Sequence, residues 1–145
     1  MAVTAKWFGQ SLLKALNKEI DYDTDTIKVA LCTSTFVPDQ DAHVYYSSVT
    51  NEVTGTGYTA GGATLASKTI TYTAATNIIA LDAADVTWAA STITARYAVI
   101  YDDTPATAAT KPLLAYVDFG ADQSSNNGNF TITWDAAGIL KITVS

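Results

Sequence analysis

Hydrophobic and polar positions alternate most clearly from Thr92 to Tyr101, Thr-Ile-Thr-Ala-Arg-Tyr-Ala-Val-Ile-Tyr. Period-2 spacing of β-branched and aromatic residues predicts a strand. It would put Ile93, Ala95, Tyr97, Val99 and Tyr101 on one face and Thr94, Arg96, Ala98 and Ile100 on the other. Both faces are largely apolar, so the strand should be covered on both sides. Arg96, the only arginine, then needs a carboxylate or carbonyl partner, because an unpaired buried charge is too costly.

Similar patterns predict strands over 27–33, near 65–73 and 77–82, over 112–119, 130–134 and 139–144, with a short strand or bend at 85–88. Asn127-Gly128 reads as a turn, since both residues tolerate positive φ, and the last two strands read as a hairpin. Residues 4–18 carry the one helical signal: Thr4 as cap, with Phe8, Leu12, Leu13 and Leu16 at helical spacing and Gly9 weakening the run. That helix either packs on its own domain or docks on another subunit. Between the first two strands lies a long excursion, 34–57, which holds Pro38, His43 and the Tyr45-Tyr46 pair. Such a long loop in a compact domain signals function or irregular packing. The elements predict one all-β domain over residues 1–145, an antiparallel β-sandwich of jelly-roll or Ig-like type with a short N-terminal α-helix.

Charge narrows the partners. Seven lysines and one arginine face 14 acidic residues, giving a net charge of −6. An acidic, unclustered charge pattern is repelled by phosphate backbones and anionic lipid, so neither nucleic acid nor membrane is expected as a partner. The single cysteine, Cys32, allows no intrachain disulfide and reads as a buried thiol. No secretory leader and no apolar run of about 20 residues is visible, so folding in a cytosol is expected.

Candidate chemistry is sparse. Asp21, Asp23 and Asp25 open like a calcium loop, but the positions needing glycine and glutamate hold Thr26 and Cys32. That leaves either a solvated turn or a cation site of another kind. Gly55, Gly57, Gly61 and Gly62 precede strand-like sequence with no P-loop lysine, so they read as sites of close backbone approach rather than a phosphate cradle. His43, the only histidine, has Asp39, Asp41, Ser47 and Ser48 nearby in sequence, but there is no nucleophile elbow. Neither catalysis nor a cofactor nor a metal is expected. Tyr45, Tyr46, Tyr58 and Trp88 could form a sugar platform or serve as core and subunit contacts.

Several segments together resemble a family of small structural proteins of tailed bacteriophages: Asp23 to Leu31, Gly55 to Gly62 with Leu65, Asp85 to Trp88, Thr92 to Tyr101, Leu114 to Gly120, and Phe130 to Trp134. The resemblance covers about residues 20–140. It implies a virion component and supplies no catalytic residues. An acidic β domain belongs outside a DNA-filled shell. The expectation is therefore a capsid decoration (cement) protein, assembled in the bacterial cytoplasm. It would be a homo-oligomer, with a trimer favoured, on the outer surface of the major capsid protein lattice. Trp7, Phe8, Leu12, Tyr45, Tyr46 and Tyr58 are the expected contacts, chosen for aromatic content and loop position. The alternative is a tail, neck or fibre component that binds a receptor glycan through Tyr45, Tyr46 and Tyr58.

Overall fold

The structure, a computed structural model, describes residues 2–145. In chain order it has β1 (Ala2–Val3), β2 (Lys6–Trp7), α1 (Ser11–Leu16), β3 (Ile27–Cys32), β4 (Ala63–Thr64), β5 (Thr69–Thr73), β6 (Ile78–Asp82), β7 (Val86–Asp102), β8 (Leu113–Trp134) and β9 (Leu140–Thr143). Short 3-10 turns lie at Tyr46–Ser48 and Ala108–Thr110. A larger sheet has the order β1-β8-β7-β3-β4, with β2 also on β8, and a smaller one has the order β5-β6-β9. The fold is a β-sandwich with one short helix, as expected, although β1 pairs with β8 in parallel, so the larger sheet is mixed.

The β7–β8 ribbon folds back on itself. β1 is parallel to the end of β8, with Val3 opposite Trp134, while β2 is antiparallel to its start, with Lys6 opposite Tyr116. A straight β8 would separate Tyr116 from Trp134 by about 60 Å at strand rise. Val3 and Lys6 are three residues apart and can span only about 11 Å. One short run of chain can meet both ends only if β8 reverses direction between them. The corners coincide with register shifts between Trp88 and Ser91, Ser91 and Ile93, and Ala95 and Tyr97. Bulges of this kind bend strands and turn sheets.

The largest shift corrects the face assignment of the central strand. Ala95 faces Gln123 and Tyr97 faces Asp118, so Arg96 alone stands against four residues of β8. Side-chain parity reverses there. Ile93, Ala95, Ala98 and Ile100 point into the main core, whereas Tyr97, Val99 and Tyr101 belong to a second cluster. Arg96 is half-exposed rather than buried, and its Nε donates to Asp118 Oδ1 at 2.7 Å. The carboxylate partner is present, but on the surface of the bulge.

Three further expectations change. The helix is six residues long, not 4–18. Backbone pairing with β8 holds residues 2–3 and 6–7 extended, Thr4 caps nothing, and Phe8 enters the core before the helix starts. The predicted 130–134/139–144 hairpin does not form: β9 pairs with β6, so the chain changes sheets after Trp134. Asn127-Gly128 is not a hairpin turn. Asn127, at φ 48°, sits inside β8, and its N–H donates to Thr92 Oγ1 at 2.9 Å. Of the expected strand near 65–73, only Thr69–Thr73 forms, with the separate two-residue strand β4 before it.

The excursion after β3 is a cover. It buries Phe36 and lays Tyr46 and Val49 against Phe8, Ala30, Cys32, Val99, Tyr101 and Leu113 on the outer face of β3, β7 and β8. The expectation of a sheet apolar on both faces holds for this reason. Gly62 allows the return into β4: its φ is +78°, and a Cβ there would lie 1.9 Å from Val29 O. Close backbone approach is thus the role of this glycine.

Candidate functional site

An apolar groove lies between α1, the turn after it and the smaller sheet. It has a volume of about 510 Å³ and is walled by Trp7, Leu12, Ile20, Ile70, Leu81 and Ile142, with Lys18, Asp21 and Asp23 also on its lining. Its construction follows from local chemistry. Trp7 pairs with Ala115 through its backbone, and its indole Nε1 donates to Lys141 O at 3.1 Å, so one residue joins the two sheets. Ser11, the buried residue of α1, contacts Leu113 O at 2.9 Å and Leu114 O at 2.5 Å through Oγ. These contacts anchor the helix by its first residue and leave its leucines outward. Leu12, Leu13 and Leu16 are 41%, 53% and 83% exposed. An amphipathic helix normally buries this stripe, so here the stripe lacks a covering surface.

The apolar surface continues onto β5. Every residue of Thr69–Thr73 is exposed, and β5 is an edge of its sheet. Ile70 and Tyr72, two residues apart, share one face and are 46% and 57% exposed. The strand itself carries no charge and no proline, the usual protections of an open edge.

The predicted contact residues separate into different environments. Trp7 and Leu12 meet in the groove. Phe8 does not reach a contact surface: it is 2% exposed and sits in the second core cluster beside the Tyr116 ring, 5.2 Å between centroids. Tyr46 and Tyr58 converge on Glu52, an anchor that the sequence reading missed. The Tyr58 hydroxyl donates to Glu52 Oε1 at 2.6 Å, the Tyr46 hydroxyl to Oε2 at 3.1 Å, and the Gly61 N–H to Oε1 at 2.6 Å. Tyr46 also stacks on Tyr101 at 4.0 Å. Burial, with Glu52 adding to it, raises the ionisation of both phenols well above the ordinary tyrosine range. Tyr45 stands elsewhere: its hydroxyl accepts from Lys14 Nζ at 2.6 Å and donates to Glu19 Oε2 at 3.3 Å. The three tyrosines therefore tie loops together through their hydroxyls and do not form one platform.

The remaining chemical candidates are structural in their contacts. His43 stacks on Phe36 with centroids 5.7 Å apart, and its Nδ1 accepts from the Asp39 N–H at 3.3 Å. Asp39 accepts from the Asp41 and Ala42 N–H groups, which hold its carboxyl below the usual range. Among the described residues no hydrogen bond joins His43 to Ser47 or Ser48. The Cys32 thiol is buried, which pushes its ionisation up to about 12; reactive thiols have depressed values instead. Asp21 accepts the Thr24 N–H at 3.3 Å and Asp25 accepts the Asp21 N–H at 2.7 Å, a self-contained turn. Among the described residues no group of three or more histidine, cysteine or acidic side chains is placed to hold a metal ion. No helix there is long and apolar enough to cross a membrane.

The exposed leucines of α1, the groove beside them and the open edge of β5 are the apolar features of the described surface. Comparison with family models, curated proteins and solved structures gives no match.

Proposed function

We propose that this protein is a non-enzymatic structural component of a tailed-bacteriophage virion, a capsid decoration protein that binds the outside of the major capsid protein lattice. The observation that carries the proposal is the uncovered apolar surface of Leu12, Leu13, Leu16 and the adjoining groove on an otherwise acidic domain. Contiguous apolar patches on compact proteins mark interaction sites. The sequence resemblance supplies the virion setting. In this reading the helix and groove seat on capsid subunits or on a neighbouring copy in a trimer. Bridging neighbours would stabilise the shell by preferential binding to its assembled form.

The test is co-sedimentation of the purified protein with capsids lacking it. Wild type is expected to bind saturably at a fixed ratio to the capsid protein. Leu12→Asp with Leu16→Asp should reduce binding at least about tenfold, since losing each buried leucine contact is worth roughly 1.5–3 kcal/mol. The variant's thermal unfolding should stay unchanged, because both side chains are exposed. Undiminished binding by the folded variant would remove the helix from the interface.

A further inference from the structure

One oxygen of a carboxylate buried at the end of β7 lacks a donor. Asp102 is 1% exposed. Its Oδ1 accepts the Thr104 N–H at 2.8 Å, while Oδ2 has no hydrogen-bond partner among the described residues. The 21–26 turn lies against this end of β7, where the Asp103 N–H donates to Thr26 O at 2.7 Å and the Thr26 N–H to Thr104 Oγ1 at 2.9 Å. The neighbouring side chain whose charge bears on Asp102 is another carboxyl, that of Asp25. Asp25 Oδ2 already accepts the Asp21 N–H. Two carboxylates cannot both stay ionised in such a contact unless something positive lies between them.

The surrounding cations are committed elsewhere. Lys28 and Lys111 hold Asp103 at 2.7 and 2.5 Å. Lys68 donates to the backbone carbonyl of Asp25 and lies over the Tyr22 ring, 5.7 Å from its centroid. Tyr22 donates its own hydroxyl to Asp82 O. Asp21 and Asp23 are exposed and add only negative charge. A hard divalent cation takes roughly six to eight oxygens, and among the described residues no third acidic side chain converges on the pair. A proton needs only the two oxygens.

We propose that Asp102 keeps a proton and donates it in a hydrogen bond to the Asp25 carboxyl, and that this bond clamps the 21–26 turn to the loop after β7. Burial pushes the Asp102 carboxyl up to about 6, with Thr104 opposing the shift and Asp25 adding to it. The folded state therefore keeps a proton that the unfolded chain releases near 3.8. Stability from this site is fully present below the unfolded value and falls as pH rises through about 6. Above that, the half-exposed member, Asp25, is the one that can turn to water. The same turn carries Asp21, Tyr22 and Asp23 on the groove wall, so its loosening reshapes the groove.

Thermal unfolding of the full chain from pH 4 to 8, beside Asp102→Asn and Asp25→Asn, tests the clamp. An amide supplies the missing donor at every pH. At pH 8 either variant should melt above wild type by roughly 5 °C or more, and the advantage should shrink as pH falls and close only near the unfolded value of 3.8. Parallel melting curves across the range would overturn the proposal. If the variants fold poorly, carbon-13 titration of the wild-type Asp102 carboxyl decides: an inflection near pH 6 supports the clamp, and one near 4 overturns it. Calcium chloride at pH 8 should leave the wild-type melting temperature unchanged. A saturable rise abolished by Asp102→Asn would replace the proton with a cation.

Discussion

At the residue scale, a few side chains hold the long excursion to the sheet, and Glu52 is the chief among them. Its two oxygens accept from Tyr46, Tyr58 and Gly61, and Tyr58 Oη in turn accepts the Leu31 N–H at 2.9 Å. Glu52→Ala leaves two phenols and an N–H without their acceptor, at about 1–3 kcal/mol for each group that water cannot reach. We expect a total loss of roughly 2–4 kcal/mol, measured as a lower urea midpoint with an unchanged slope. Gly62→Ala should be worse, because its Cβ would overlap Val29 O in a positive-φ conformation. Failure to accumulate folded protein is the expected outcome, read by circular dichroism; a melting temperature equal to wild type would contradict the account of the β3–β4 approach. Glu52 was not legible in the sequence. Its three donors are six to nine residues away, but nothing in their spacing shows that they meet beneath a stacked Tyr46–Tyr101 pair.

At the element scale, strands were easier to read than their partners. Alternation located β3 and β6 nearly to the residue: 27–33 against Ile27–Cys32, and 77–82 against Ile78–Asp82. Alternation says nothing of which strand lies alongside, and 130–134 with 139–144 went wrong for that reason. β9 finds more continuous pairing along β6, from Ile78–Thr143 to Leu81–Leu140, than a return along Phe130–Trp134 would allow, because β1 already occupies the end of β8. Helical spacing holds for Leu12, Leu13 and Leu16 within Ser11–Leu16, but not for Phe8, because edge pairing of β2 keeps residues 6–7 extended ahead of it. The open edge of β5 carries its own prediction. Unprotected strand edges invite association, so Ile70→Lys or Tyr72→Lys should reduce concentration-dependent light scattering without lowering the melting temperature by more than about 1 °C, since surface changes usually stay within about 0.5 kcal/mol. Equal scattering by wild type and variants would show that β5 is not the adhesive edge.

At the scale of the whole molecule, the bent β7–β8 ribbon forms the spine of the larger sheet, the β5-β6-β9 sheet packs with it, and the N-terminal segment straps the ribbon's two ends. The sequence showed a strand apolar on both faces around Val99 and Ile100, and from it a doubly covered sheet. It could not show the parity reversal at Arg96, since the four extra residues opposite it lie in β8 and are themselves polar or small apart from Phe119. Of the candidate surface, Trp7 and Leu12 were legible from their size and spacing. The groove between them and Ile70 was not, because it depends on the sheet change after Trp134 that carries β9 to β6.

The central claim is that this acidic sandwich coats a phage head through its uncovered apolar surface. Quantitative mass spectrometry of purified virions, scaled to the major capsid protein, tests it most directly. The account predicts hundreds of copies at a fixed ratio to capsid subunits. A handful per particle would contradict it and place the protein in a neck, tail or fibre.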